Sequence, residues 1–125
     1  MSKIKFSLRS EIVDDKLDMI YISDGTNTIS WWVSPLFNSL SDFKDMIIDI
    51  KSGRKESQII FYGEPYEMHF KITIYANRID YIVKYFGRKD PNKVIDYEIW
   101  LEGSTSINRM LHQLNEVLYG THKKL

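Results

Sequence analysis

The chain alternates apolar and polar side chains through residues 66–75, YEMHFKITIY, and this stretch decides the fold. Met68 and Phe70 fall on one side of an extended strand, whereas Glu67 and His69 fall on the other. Such a period of two is typical of a half-buried strand, because successive side chains of a strand point to opposite faces of its sheet. We therefore predict a strand with one face on the core and one face toward solvent.

Similar segments precede and follow this stretch, and the breaks between most of them are short. The segment Asp14-Asp15-Lys16 is predicted to be a turn, and the turns Asp24-Gly25-Thr26-Asn27 and Ala76-Asn77 contain residues that accept tight-turn geometry. Such short connections favour antiparallel neighbours, because parallel strands need a long crossover between them. The predicted strands are residues 3–9, 19–23, 28–33, 58–62, 66–75, 79–86 and 94–102.

Two segments show the spacing of amphipathic helices. The first starts at Ser34-Pro35, where a hydroxyl cap precedes a proline, or restarts at Ser41, and it ends near Gly53. The second follows the hydroxyl residues 104–106 and ends at Gly120. Each helix has one apolar stripe, so each covers one surface only.

This order of elements, βββα–ββββα, predicts an α+β fold with two helices on one face of a sheet. We expect a single, largely antiparallel sheet of six or seven strands, within one domain that spans residues 1–125. Residues 121–125 are predicted to be a frayed tail. The opposite face of the sheet is then left for solvent or for a partner.

The composition excludes several classes of function. There is no cysteine, which removes disulfides, thiol nucleophiles and cysteine-ligated metals. Seventeen basic and seventeen acidic residues cancel, so a nucleic-acid partner is not expected, since such binders usually carry a basic excess. Apolar runs are too short to span a membrane, and the start of the chain lacks the pattern of a signal peptide. We therefore expect a cytoplasmic protein.

Catalytic and metal-binding patterns are weak. Glu67 and His69 lie on the same face of a predicted strand, but no nucleophile or oxyanion site stands at a recognisable spacing. The three histidines, His69, His112 and His122, are isolated from one another, so no metal-ligand spacing is present. We expect no enzymatic activity, no metal and no cofactor.

The open sheet face is the strongest candidate for a binding site. Trp100 is predicted to be its anchor, because large aromatic side chains are favoured at protein interfaces. Neighbouring carboxylates would attract a basic partner. Two other interpretations remain open: the face is merely solvated, or the register is shifted by one residue so that Trp100 is buried. The predicted partner-binding residues are Trp100, Asp96, Glu98, Glu102, Glu67, His69 and Tyr75.

Three features together resemble a class of small bacterial proteins. They are the pair Trp31-Trp32 that leads into a helix, the segment Gly63-Glu64-Pro65-Tyr66-Glu67 that opens a strand meander, and the final amphipathic helix after Ser104. This layout resembles immunity proteins that are encoded beside polymorphic or contact-dependent toxins. The resemblance implies a non-enzymatic cytoplasmic protein that binds and blocks a toxin domain. Immunity proteins against nucleases are often strongly acidic, whereas this chain is neutral.

Two alternatives belong to other functional classes. A small-ligand-binding domain or an enzyme would need a pocket between the sheet and the helices. A homodimer would use the open sheet face or an unpaired edge strand, and the partner would then be a second copy of the chain.

Overall fold

A computed structural model describes residues 6–34, 40–63, 66–87 and 97–120 of the chain. Within these ranges, seven strands and two helices follow the predicted order, so the prediction of an α+β fold is confirmed. The predicted helix start at Pro35, the residue Asp96 and the predicted tail lie outside the described residues. The elements are β1 (Ser7–Val13), β2 (Lys16–Ser23), β3 (Thr28–Trp32), α1 (Leu40–Lys51), β4 (Glu56–Tyr62), β5 (Glu67–Ile74), β6 (Ile79–Phe86), β7 (Tyr97–Thr105) and α2 (Ile107–Tyr119).

The strands form two sheets, and the prediction of one continuous sheet is wrong. One sheet has the order β1-β2-β3 and the other the order β4-β5-β6-β7, with antiparallel pairing throughout. Close to the junction, the Ser34 amide donates a hydrogen bond of 2.7 Å to the Tyr62 carbonyl. The alternating pattern identifies the strands and their faces. It contains no information on whether strands on either side of a helix share one ladder.

Both sheets and both helices contribute side chains to a single core. Phe6, which precedes β1, lies 4.6 Å from Tyr81 and 5.9 Å from Phe70 between ring centroids, and these two residues belong to the larger sheet. On α1, Phe43 and Met46 are fully buried in the same cluster. The smaller sheet and the helices therefore pack on the inner face of the larger sheet.

Local sequence signals fix the ends of the helices. The Ser106 hydroxyl caps α2 by accepting a hydrogen bond of 3.0 Å from the Arg109 amide, as the run of hydroxyl residues predicts. Gly53 follows α1 with a φ of 76°, which is a left-handed conformation that glycine adopts without strain. Neither helix in the described ranges is both long and apolar enough to cross a membrane.

The outer face of the larger sheet carries no covering element among the described residues. Its side chains are all partly or fully exposed, whereas the alternate side chains of the same strands, such as Phe61, Phe70 and Val83, are fully buried. The prediction that one sheet face is left open is therefore confirmed for β4–β7. We call this surface the free face.

Candidate functional site

The free face consists of four cross-strand rows, since directly paired residues of neighbouring strands share one face of a sheet. Each row takes one residue from each strand, in the order β4, β5, β6 and β7. Two rows are largely apolar, and we call them the apolar half; the other two form the polar half. The apolar half is Tyr62, Glu67, Phe86 and Tyr97, followed by Ile60, His69, Lys84 and Ile99. The polar half is Gln58, Lys71, Ile82 and Glu102, followed by Glu56, Thr73, Asp80 and Ser104.

Aromatic rings and one exposed isoleucine dominate the apolar half. The rings of Phe86 and Tyr97 lie 5.4 Å apart, and the Lys84 ammonium lies 4.6 Å from the centre of the Tyr97 ring. Ile99, next to them, leaves 51% of its surface exposed. An aliphatic residue of this size that is so exposed beside aromatic rings is a contact surface suited to another protein.

His69 and Glu67 both lie in the apolar half, as predicted for the free face. The His69 Nε2 atom lies 2.8 Å from a Glu67 carboxylate oxygen, and the imidazole lies 4.1 Å from the Phe86 ring. Only 18% of the His69 side chain is exposed, so the imidazole is held in place between its neighbours. The pair gives the apolar half one fixed polar point, which can orient a docked partner.

Local ion pairs organise the polar half. The Lys71 ammonium on β5 lies 3.5 Å from the Glu56 carboxylate on the neighbouring strand β4. The Asp80 carboxylate accepts hydrogen bonds from the Ser104 hydroxyl at 2.6 Å and from Arg78 at 3.0 Å, and these bonds lower the pKa of Asp80. Glu102 lies on this face, as predicted, and it is exposed. Most charges of the polar half are thus already compensated within the chain.

The prediction that Trp100 projects from the free face is wrong. A β-bulge in β7 places Leu101 opposite Val83 and Ile99 opposite Lys84, so Trp100 is the extra residue between them. Its ring stacks on Tyr85 with centroids 4.5 Å apart, and it meets Trp31 edge to face at 5.9 Å. Trp100 therefore packs against the core from the inner side of the sheet.

The bulge also moves Glu98 away from the free face. Glu98 is paired with Tyr85, on the inner side of β6, and its carboxylate accepts a long hydrogen bond of 3.3 Å from the Trp100 indole. Tyr97 and Ile99 occupy the free-face positions instead, and sequence reasoning missed both. One signal was present: Ile99, Trp100 and Leu101 are three consecutive apolar residues, which a strictly alternating strand cannot bury on one face.

Of the remaining predicted residues, Tyr75 lies at the edge of the free face, and Asp96 lies outside the described ranges. Tyr75 belongs to the turn between β5 and β6, at the polar end of the free face, and the Arg78 guanidinium lies 4.4 Å above its ring. Asp96 is not among the described residues. In the described part of the chain, no three histidine, aspartate or glutamate side chains converge as a metal site would require.

Surface hollows of similar size lie at different places in the described ranges. One, of about 320 Å³, lies on the polar half of the free face beside Asp80 and Glu102. The second, of about 330 Å³, lies between α1 and α2, and the third, of about 300 Å³, lies beside the β1–β2 turn. Between the sheet and the helices, Met46 and Met110 are fully buried in the core.

Comparison with protein-family models, with curated proteins and with solved structures finds no match for this chain. We therefore infer its function from the geometry of the free face.

Proposed function

We propose that this protein is a non-enzymatic protein-binding module that masks a partner with its free face. The observation that carries the proposal is a sheet surface, four strands wide, that no described element covers and whose apolar half presents Phe86, Tyr97 and Ile99. The rings of Phe86 and Tyr97 already contact each other, so these two side chains lose little conformational entropy when a partner covers them. Tyr97 and Ile99 take the anchoring role that the sequence pattern had given to Trp100.

The dimensions of the free face suit part of a protein interface. Four strands spaced by about 4.8 Å and four rows spaced by about 6.8 Å cover on the order of 500 Å². A stable interface buries about 800 Å² on each partner, so segments beside the sheet would supply the remainder. Because the strands are held by ladder hydrogen bonds and by the core, the face binds as a rigid platform.

The proposed partner is a toxin domain, and the proposed site of action is the cytoplasm. Support comes from the resemblance of the tryptophan pair, the strand meander and the final helix to immunity proteins. The balanced charge of the chain means that the apolar half needs no strongly charged partner surface, since Glu56 already pairs with Lys71 and Asp80 with Arg78. Masking would then depend mainly on the apolar half.

The test replaces Ile99 by glutamate and measures binding to the protein encoded beside the gene of this chain. A carboxylate placed between Lys84 and the partner removes apolar contact and must be desolvated, so we expect affinity to fall by at least about tenfold. Isothermal titration calorimetry measures this change. The matched control is Ile48→Glu, because Ile48 leaves 61% of its surface exposed on α1, away from the sheet.

Equal affinities of the wild type and Ile99→Glu would contradict binding through the free face. Failure of the wild type to bind the neighbouring gene product would contradict the toxin-masking version of the proposal. Thermal unfolding of each variant shows whether a loss of affinity arises from a loss of folding, since both substituted positions are exposed.

A further inference from the structure

The strand β7 ends the larger sheet. It pairs with β6 on one side, and no backbone hydrogen bond to another described residue is made along its other side. The amide and carbonyl groups on that side are therefore able to pair with an added strand. After the bulge at Trp100, the segment Leu101–Thr105 pairs with β6 in a regular register, and a regular strand suits such pairing.

The charge of this edge selects its occupant. Among the described residues of β7, the charged ones are Glu98 and Glu102, and both are exposed. A second copy of β7 would add two more carboxylates and no cation, and like charges on paired strands are destabilising. An extended segment that carries lysine or arginine would instead complement the edge.

A hollow beside the edge gives a long cationic side chain a place to lie. This is the hollow of about 320 Å³ on the polar half of the free face, where Ile82 contributes apolar surface and Glu102 and Asp80 contribute carboxylates. Lysine and arginine place an aliphatic stem on apolar surface and a charged end beside an acceptor. Asp80 already accepts hydrogen bonds from Ser104 and Arg78, so Glu102 is the carboxylate that the hollow offers to an added cation.

We infer that the free edge of β7 binds an extended, basic segment of a partner protein as an added strand, with a lysine or arginine side chain in the hollow beside Glu102. This interaction uses backbone groups and the polar half of the free face. It does not depend on Ile99 or on the rest of the apolar half, so it can succeed or fail independently of the masking function.

The test measures the anisotropy of labelled peptides of about eight residues, a typical strand length, with the purified full-length chain. The probe alternates lysine and valine. One comparison peptide replaces lysine by glutamate, and another keeps lysine but carries N-methyl groups on alternate amides, which cannot form strand hydrogen bonds. We expect each comparison peptide to bind at least about tenfold more weakly than the probe.

Variants locate the binding to β7. We expect Glu102→Gln to lower the affinity for the probe peptide by roughly three- to tenfold. Glutamine keeps the shape of the side chain but removes the negative charge at the hollow. Asp45→Asn is the matched control: it also removes one exposed carboxylate, but Asp45 lies on α1, outside the free face, so this variant should bind the probe as tightly as the wild type. Hydrogen exchange should show new protection in β7 amides when the probe is bound.

Three outcomes would overturn the inference. Equal binding of the N-methylated peptide would show simple charge attraction without strand addition. Unchanged binding by Glu102→Gln would remove the hollow from the site. Light scattering that shows a concentration-dependent dimer, dissociated by the probe, would show that the occupant of the edge is a second copy of the chain.

Discussion

At the scale of single residues, the turn between β1 and β2 stores backbone strain. Val13 pairs with Lys16, so the turn has two central residues, Asp14 and Asp15, with φ values of 52° and 63°. Both are left-handed, as a type I′ turn requires, and this turn prefers asparagine followed by glycine. The sequence predicts a turn at this place from its two aspartates, and the prediction is confirmed. Aspartate tolerates the left-handed conformation better than most residues but still adopts it at a cost.

We predict that Asp15→Gly stabilises the protein by about 0.5–1 kcal/mol, because glycine adopts a positive φ without steric cost. The greater freedom of glycine in the unfolded chain offsets part of this gain. Urea unfolding followed by circular dichroism measures the change. Lys16→Gly is the control: Lys16 has no positive φ, so the same substitution one residue later should destabilise the protein. A loss of stability with Asp15→Gly would show that the aspartate side chain makes a compensating interaction.

At the scale of elements, alternation predicts where strands lie but fails where a bulge shifts the pattern. In β5 and β6 no residue is inserted, so the predicted faces of Glu67 and His69 are those observed. In β7 the bulge at Trp100 reverses the pattern for the residues before it. Glu102, which follows the bulge, keeps its predicted face. One inserted residue therefore explains why part of the candidate site could be predicted from the sequence and part could not.

The two neighbours at the bulge give a direct test of this register. Trp100→Ala should reduce the free energy of unfolding by about 2–3 kcal/mol, because the ring that packs between Tyr85 and Trp31 is lost. Ile99→Ala should cost less than about 1 kcal/mol, since most of its contact is with solvent. Chemical denaturation of both variants gives the comparison. If Ile99→Ala were the more damaging substitution, the bulge would lie elsewhere and Trp100 would face outward.

The ends of the helices depend on nearby residues, whereas the division of the strands into two sheets does not. Gly53 and Ser106 end and begin their helices through contacts within a few residues, and such contacts can be predicted from the sequence. Alternation along β3 likewise places neighbouring side chains on opposite faces: Trp31 packs on the core, and Trp32 is exposed. The division of the strands into two sheets depends on long-range packing, which no local pattern specifies.

At the scale of the whole molecule, the last helix is bonded to the first strand. The Leu8 amide donates a hydrogen bond of 2.8 Å to the Gln113 side-chain carbonyl, and Arg109 donates one of 2.8 Å to the Phe6 carbonyl. These contacts occupy backbone groups at the edge of β1, which would otherwise be open to a further strand. The start of β1 is thereby covered by α2, whereas no described residue bonds to the backbone along the outer side of β7.

Because Gln113 is only 7% exposed, we expect its replacement to lower the free energy of unfolding of the whole domain. We predict that Gln113→Leu destabilises the protein by about 1–3 kcal/mol, because the volume is kept but the buried Leu8 amide loses its acceptor. Urea unfolding should show the loss equally by helix circular dichroism and by tryptophan fluorescence, since α2 and both sheets share one core. Asn115→Leu is the control, because the Asn115 amide donates its hydrogen bond to the Leu111 carbonyl of its own helix. If the two probes gave separate transitions, α2 would unfold independently, and the free face would then rest on the sheets alone.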